Sequence, residues 1–187
     1  RLLPEVTDMT DAEKKIAEAQ ARFIRAHHHF EAKKMWNKVP WVDETVTDHK
    51  ALTNTTDIWP NIEADFKFAY DNLPEKMDYR GQANKWAAAC YLAKVYLFQK
   101  KFAEAKTLFT LIITQGKNSQ GVAYALNDNY HDNLRVNKEN NSETIFSIQA
   151  SYGDGSTTNS NYDNILNYPH GGGSKPGGCC GFFQPSQ

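Results

Sequence analysis

The strongest constraint on this chain lies near its start. Thr10 and Glu13 make a capping box, and Ala12, Ile16, Ala19, Phe23, Ala26 and Phe30 then recur at alternating spacings of four and three. That period predicts one long amphipathic helix ending near Trp36. A loop from Asn37 to Thr56 follows, where Pro40 and a Thr/Asp/Asn-rich composition break the period. A second helix is expected from about Asp57 to Leu73, with Ile58, Ile62, Phe66, Ala69 and Leu73 on one face and Pro60 in its first turn.

Two further helices, about Asn84 to Gln99 and Phe102 to Gln115, are joined by Lys100-Lys101 and closed by Gly116. Leu92, Ala93, Tyr96, Ala105 and Phe109 fit the small-and-large pattern of a tetratricopeptide hairpin, in which alanines let two backbones approach and rings fill the gaps. The fold class read from this is mainly α. It comprises tetratricopeptide-like helical pairs over 1–116 and an irregular, loop-rich part of the same domain over 117–187. Within that second part, Thr144 to Gln149 alternates like a short strand. Residues 151–187 hold eight of the eleven glycines and predict a long Gly/Asn-rich loop region, not helix.

Composition removes several function classes. With 21 basic and 22 acidic side chains the formal net charge is −1, which gives no reason to expect nucleic acid or an anionic membrane surface as partner. No apolar run approaches membrane-span length. Cys90 lies inside a helical pattern and the adjacent Cys179-Cys180 pair is read as free thiols, because a vicinal disulfide is strained. His27-His28-His29 cannot converge on one metal ion, since successive helical residues point about 100° apart. No stretch pairs a nucleophile with a base or sets two carboxylates at a demanding spacing. The chain is therefore read as a binding protein, not an enzyme, with no cofactor and no metal.

Four stretches in order resemble the SusD/RagB family of outer-membrane nutrient-binding lipoproteins. The first is Ala19 to Ala26 leading to Lys38-Val39-Pro40, and the second is Ile62-Glu63-Ala64-Asp65 leading to Asn72-Leu73-Pro74. The third is Trp86 to Ala105, and the fourth Asn141 to Gln149 followed by Gly181 to Ser186. The resemblance implies a tetratricopeptide-like scaffold, capture of an oligosaccharide or polysaccharide, and a SusC-like TonB-dependent transporter as partner. It also implies a cell-surface position on the outer membrane, through a lipid anchor outside these residues. Members are longer, so the chain is expected to be a fragment. The residues at His27 to His29 are commonly aromatic in the family, which implies that one or two of these imidazoles replace packing rings.

A sugar ring has apolar faces edged by hydroxyls, so its site needs a flat aromatic surface beside amide or carboxylate groups. Tyr162 with Asn161, Asp163 and nearby Tyr168 supplies those types, and Trp59 is a further candidate platform. The loops 37–56 and 151–170 are the expected ligand contacts. Trp41 reads as turn packing, and Trp36 and Trp86 as buried helix positions. The competing function is a tetratricopeptide adaptor that holds a protein segment in a continuous groove.

Overall fold

In the computed structural model, residues 2–149 are described, and the elements below all lie in one unit, Arg1–Ser147. Four α-helices dominate: α1 (Asp11–Trp36), α2 (Trp59–Asn72), α3 (Lys85–Phe98) and α4 (Phe102–Gln115). The capping box forms as expected, with Thr10 Oγ1 accepting from the Glu13 N–H at 3.3 Å and Glu13 Oε2 accepting from the Thr10 N–H at 2.8 Å. The buried stripe of α1 runs Ala19, Phe23, Ala26, Phe30 and Lys33, while Ala12 is exposed and Ile16 half-buried. Ile58, Ile62, Phe66, Ala69 and Leu73 are all buried, as the period of α2 requires.

Each helix packs chiefly on the next in sequence. Contacts along their lengths fix the directions. Arg25 meets Asp65 and Lys33 meets Asp57, so α1 and α2 run antiparallel. Glu63 accepts from both Gln99 and Lys101 at 2.6 Å, which sets the end of α3 beside the beginning of α2. Helix α3 is buried almost continuously from Trp86 to Cys90 and again at Leu92, Ala93 and Val95. A helix apolar around most of its first turns must be covered from several sides there, which makes α3 the centre of the unit. Ala93 and Ala105 are at most 1% exposed, as close approach of α3 and α4 demands.

The core is aromatic at the contact of α1, α2 and α3. Phe66 stacks on Tyr91 at 5.4 Å, Phe23 meets both edge-on at 5.5 Å, and Phe146 closes on Phe23 at 5.0 Å. Phe146 reaches the core without a strand to carry it. Among the described residues there is no β-ladder, only an isolated bridge between Lys117 and Ala123, so the strand expected over Thr144–Gln149 is corrected to irregular chain with a bend at Ile145. Its alternation is that of a segment with Phe146 turned inward and Ile145 exposed.

Gly116 ends α4, but with φ −63° and ψ 142°, so left-handed freedom is not what it supplies. A Cβ there would collide with the Ile112 carbonyl and the Tyr124 ring. Left-handed backbone falls instead on Lys100, at φ 60°, in the turn between α3 and α4. Asn84 caps α3 and does more: its Oδ1 accepts from the Ala87 N–H at 2.8 Å, and its Nδ2 donates to the carbonyls of Glu75 (2.7 Å) and Lys117 (2.9 Å).

Asn84 is fully buried, so Asn84→Ala leaves one N–H and two carbonyls without these partners and should cost about 2 to 4 kcal/mol in urea unfolding. Lys100→Gly relieves a conformation that side chains resist and should stabilise by about 0.5 to 1 kcal/mol, read as a higher urea midpoint at unchanged slope.

Candidate functional site

The loop between α1 and α2 is pinned at its first half by charge and ring contacts. Arg25 grips Asp65 with two hydrogen bonds, Nε to Oδ2 at 2.6 Å and Nη2 to Oδ1 at 2.8 Å, and extends Nη1 to the Glu44 carboxylate. Asp65 is 2% exposed. That pairing holds the Arg25 guanidinium well above its ordinary pKa despite its burial. The guanidinium also lies 5.0 Å from the Trp41 ring centre, and His29 packs on the same indole at 4.4 Å. Trp41 Nε1 donates to Asp43, which accepts from the Thr45 N–H and hydroxyl.

His29 joins helix to loop directly. Its Nε2 accepts from the Val42 N–H at 3.1 Å, which leaves Nδ1 as the donor to the Arg25 carbonyl at 2.9 Å. A neutral imidazole is required for both bonds. A cavity of about 660 Å³ opens beside this anchor, between Leu3, Pro4, Ala17, Ala21 and Val42. Its rim charges are committed to one another, Arg22 to Glu18 and Arg25 to Glu44, so it offers a ligand little beyond apolar wall.

A different surface forms where α1 ends. Trp36 is 65% exposed, beside Lys33 one turn earlier on the same side of the helix. The buried Lys33 ammonium binds Asp57 Oδ1 at 3.0 Å and lies 5.8 Å from the Trp59 ring centre. Trp59 is half-buried, edge-on to Phe30 at 5.9 Å and tilted by 32° against Phe98 at 5.7 Å. Phe98 itself is 51% exposed. The second half of the loop brings polar groups to the same end: Asn54 Nδ2 donates to the Lys38 carbonyl, and the hydroxyls of Thr53 and Thr55 are 3.2 Å apart and exposed. Partly open indole and phenyl surface beside an ion pair offers the apolar face and the polar partner that a sugar ring needs.

Trp59 is therefore part of this surface, though half of it serves the core. Tyr162, Tyr168, Asn161 and Asp163, with the 151–170 loop and Cys179-Cys180, lie outside the described residues. Trp36 corrects its expected burial. The buried stripe 19, 23, 26, 30, 33 continues at Asn37, and Trp36 stands about 100° off it, a displacement legible in the spacing alone. Trp86 is 3% exposed, as expected, and Trp41 is half-buried in the loop that follows α1.

The imidazoles do act as packing rings: His27 stacks with Phe23 and meets Tyr91 at 5.1 Å and Phe146 at 5.8 Å. Among the described residues no three His, Cys, Asp or Glu side chains converge on one point. Burial pushes the Cys90 thiol up to about 12, beyond nucleophilic use near neutral pH. No described helix is long and apolar enough to cross a membrane.

A helical scaffold that carries irregular loops and partly open aromatic rings suits a binding protein, and comparison with known proteins gives the family. Residues 2–97, just over half of the 187, match the SusD-like family described as starch-binding and associating with the outer membrane. The chain belongs to that family. A SusD-like protein of Bacteroides ovatus is 29% identical over 155 residues, covering 75% of this chain and 27% of its own length. A laminarin-binding SusD-like protein of known structure superposes with a TM-score of 0.65 at 30% identity, covering 77% of this chain and 32% of that one. A structure solved with xylogluco-oligosaccharide gives a TM-score of 0.65 at 27% identity, covering 80% and 32%. The chain thus spans about a quarter to a third of these relatives.

Burial, first among the causes, lowers both His27 and His29 below the ordinary 6.5. The unfolded chain then binds protons that the folded chain refuses, so stability is full above about pH 6.5 and falls as the pH drops below it. Asp43, Glu44 and Asp57 have lowered carboxyl pKa values and add their losses only below about pH 4. Melting temperatures between pH 7.5 and 5.0 should therefore fall in the parent and stay nearly level in a folded His27→Phe, His29→Asn double variant. An unchanged slope in the variant would assign the loss to other groups.

Proposed function

We propose that this protein is the glycan-binding component of an outer-membrane nutrient uptake system, taking up an oligosaccharide or polysaccharide and passing it to a SusC-like TonB-dependent transporter. The observation that carries the proposal is the Trp59–Phe98 ring pair, partly open to solvent and beside the Lys33–Asp57 ion pair. Binding and release suffice for this role, and no covalent step is assigned to the chain.

In this reading the helices over 1–116 are scaffold, and the loop-rich part over 117–187 supplies a second contact through Asn161, Tyr162, Asp163 and Tyr168. The protein stands on the cell-surface face of the membrane, held by a lipid anchor outside these residues. Relatives named for laminarin or solved with xylogluco-oligosaccharide support a sugar ligand over a peptide in a tetratricopeptide groove.

Retardation in gels containing laminarin, xyloglucan or starch tests the proposal, with circular dichroism confirming fold. Phe98→Ala removes a ring that is half open to solvent and should weaken retardation by at least about tenfold, as loss of a stacking anchor does. Tyr162→Ala with Tyr168→Ala reads the second contact separately. A folded parent that no polysaccharide retards would overturn the proposal.

A further inference from the structure

Arg25 and His29 both reach from α1 to the first half of the loop, and they answer acid differently. Arg25 keeps its charge, and Glu44 keeps its carboxylate until about pH 4, because its own amide and Arg25 both favour the ionised form. His29 holds the Val42 N–H only as an acceptor, at 3.1 Å through Nε2, while Nδ1 donates to the Arg25 carbonyl at 2.9 Å. A proton on Nε2 removes that acceptor and sets two N–H donors against each other. The new charge also faces the Arg25 guanidinium, since both groups lie on the Trp41 ring, at 4.4 Å for His29 and 5.0 Å for Arg25. Burial opposes the proton most, and Arg25 and His28 on α1 add to that; the Arg25 carbonyl and Asp65 on α2 favour it. From the loop, Asp43 and Glu44 face the same corner, engaged by Trp41 and Arg25.

We infer that His29 is an acid-sensitive latch, and that one proton on its ring frees the segment from Trp41 to Thr45 from α1 while the helices stay packed. The release is local because the helices are held by other bonds. The register of α1 and α2 rests on the Arg25–Asp65 fork and on the Lys33–Asp57 pair, and neither uses the imidazole. The segment retains the Arg25–Glu44 pair, but the Glu44 side chain is 55% exposed, and a pair in water holds little. The latched chain excludes the proton and the released chain takes it. The ratio of released to latched therefore rises as the pH falls, by up to about tenfold per pH unit below about 6.5. Val42, Asp43 and Glu44 wall the cavity of about 660 Å³ opposite Leu3, Pro4, Ala17 and Ala21, so release opens that cavity on its loop side. The latch is a property of the fold and stands whatever ligand the protein takes.

The test is a nuclear magnetic resonance titration of the full isotopically labelled chain from about pH 7.5 to about 4.5, with far-ultraviolet circular dichroism on the same samples. The Val42 and Glu44 amide signals should move with the His29 ring signal along one curve, its midpoint below about 6.5, while the helical signal is unchanged. Exchange of the Val42 amide, corrected for its intrinsic rate, should quicken at least about tenfold over that range. In His29→Gln, whose amide bonds without titrating, both loop signals should stay level. Loop and helix signals lost together would make the change global unfolding and overturn the latch. A His29 ring that titrates while the Val42 amide stays still overturns it as well. So does a loop response kept in His29→Gln, which assigns the proton to another group, His49 of the same loop among them. Should that variant fail to fold, the parent alone decides, because ring and amide are read separately in it.

Discussion

The ion pair between Arg25 and Asp65 is the interaction on which the rest depends. Taking a carboxylate out of water costs several kcal/mol, and a side chain 2% exposed bears that cost in full. Only a near-ideal partner offsets it. Arg25 meets Asp65 with two parallel hydrogen bonds, the fork geometry that a lysine cannot supply, and so fixes the register of α1 against α2. The same guanidinium reaches Glu44 and lies on Trp41, so the register of the helices also sets the start of the loop. His29, one turn on, repeats the connection through neutral hydrogen bonds to the Val42 amide and the Arg25 carbonyl.

Anchoring the first half of the loop has a consequence for its second half. From Asp43 the chain must return to Ile58, the residue before α2, and it passes the end of α1 on the way. Asn54 bonds the Lys38 carbonyl, and Asp57 closes on Lys33. These contacts put an amide and a carboxylate at the end of α1 with no regular element there to carry them. Helices supply rings at fixed positions, and the pinned loop supplies the polar rim. The division suits a family whose members hold different glycans on one scaffold.

The helices were legible because their information is local. Capping at Thr10, the apolar period of α1 and α2, and the Ala93–Ala105 spacing of the hairpin each depend on neighbours in sequence, and each stands where it was expected. What failed depended on distant partners. Thr144–Gln149 has strand-like alternation, yet a strand exists only where another segment pairs with it. Trp36 belonged to a helical pattern, but one position off the stripe is enough to turn a large ring outward. The buried charge pair carried a readable sign, since Asp65 sits next to Phe66 on the apolar face of α2, where an acid must find a cation. Which cation could not be read, because Arg22 and Arg25 both face that way.

The histidine triplet shows how one sequence feature divides among roles once the helix is built. At 100° per residue, His27, His28 and His29 point to three surroundings. His27 joins the aromatic cluster of Phe23, Tyr91 and Phe146, His28 is exposed, and His29 links the loop to α1. Only His29 uses both ring nitrogens, and only in the neutral tautomer. A phenyl ring would fill its place against Trp41 but could neither accept from Val42 nor donate to Arg25. The triplet therefore combines ring packing with a loop anchor that protonation can undo. That anchor stands one helical turn from Lys33, and burial lowers the His29 pKa, so the loop contact is kept at neutral pH and lost only as the solution turns acid.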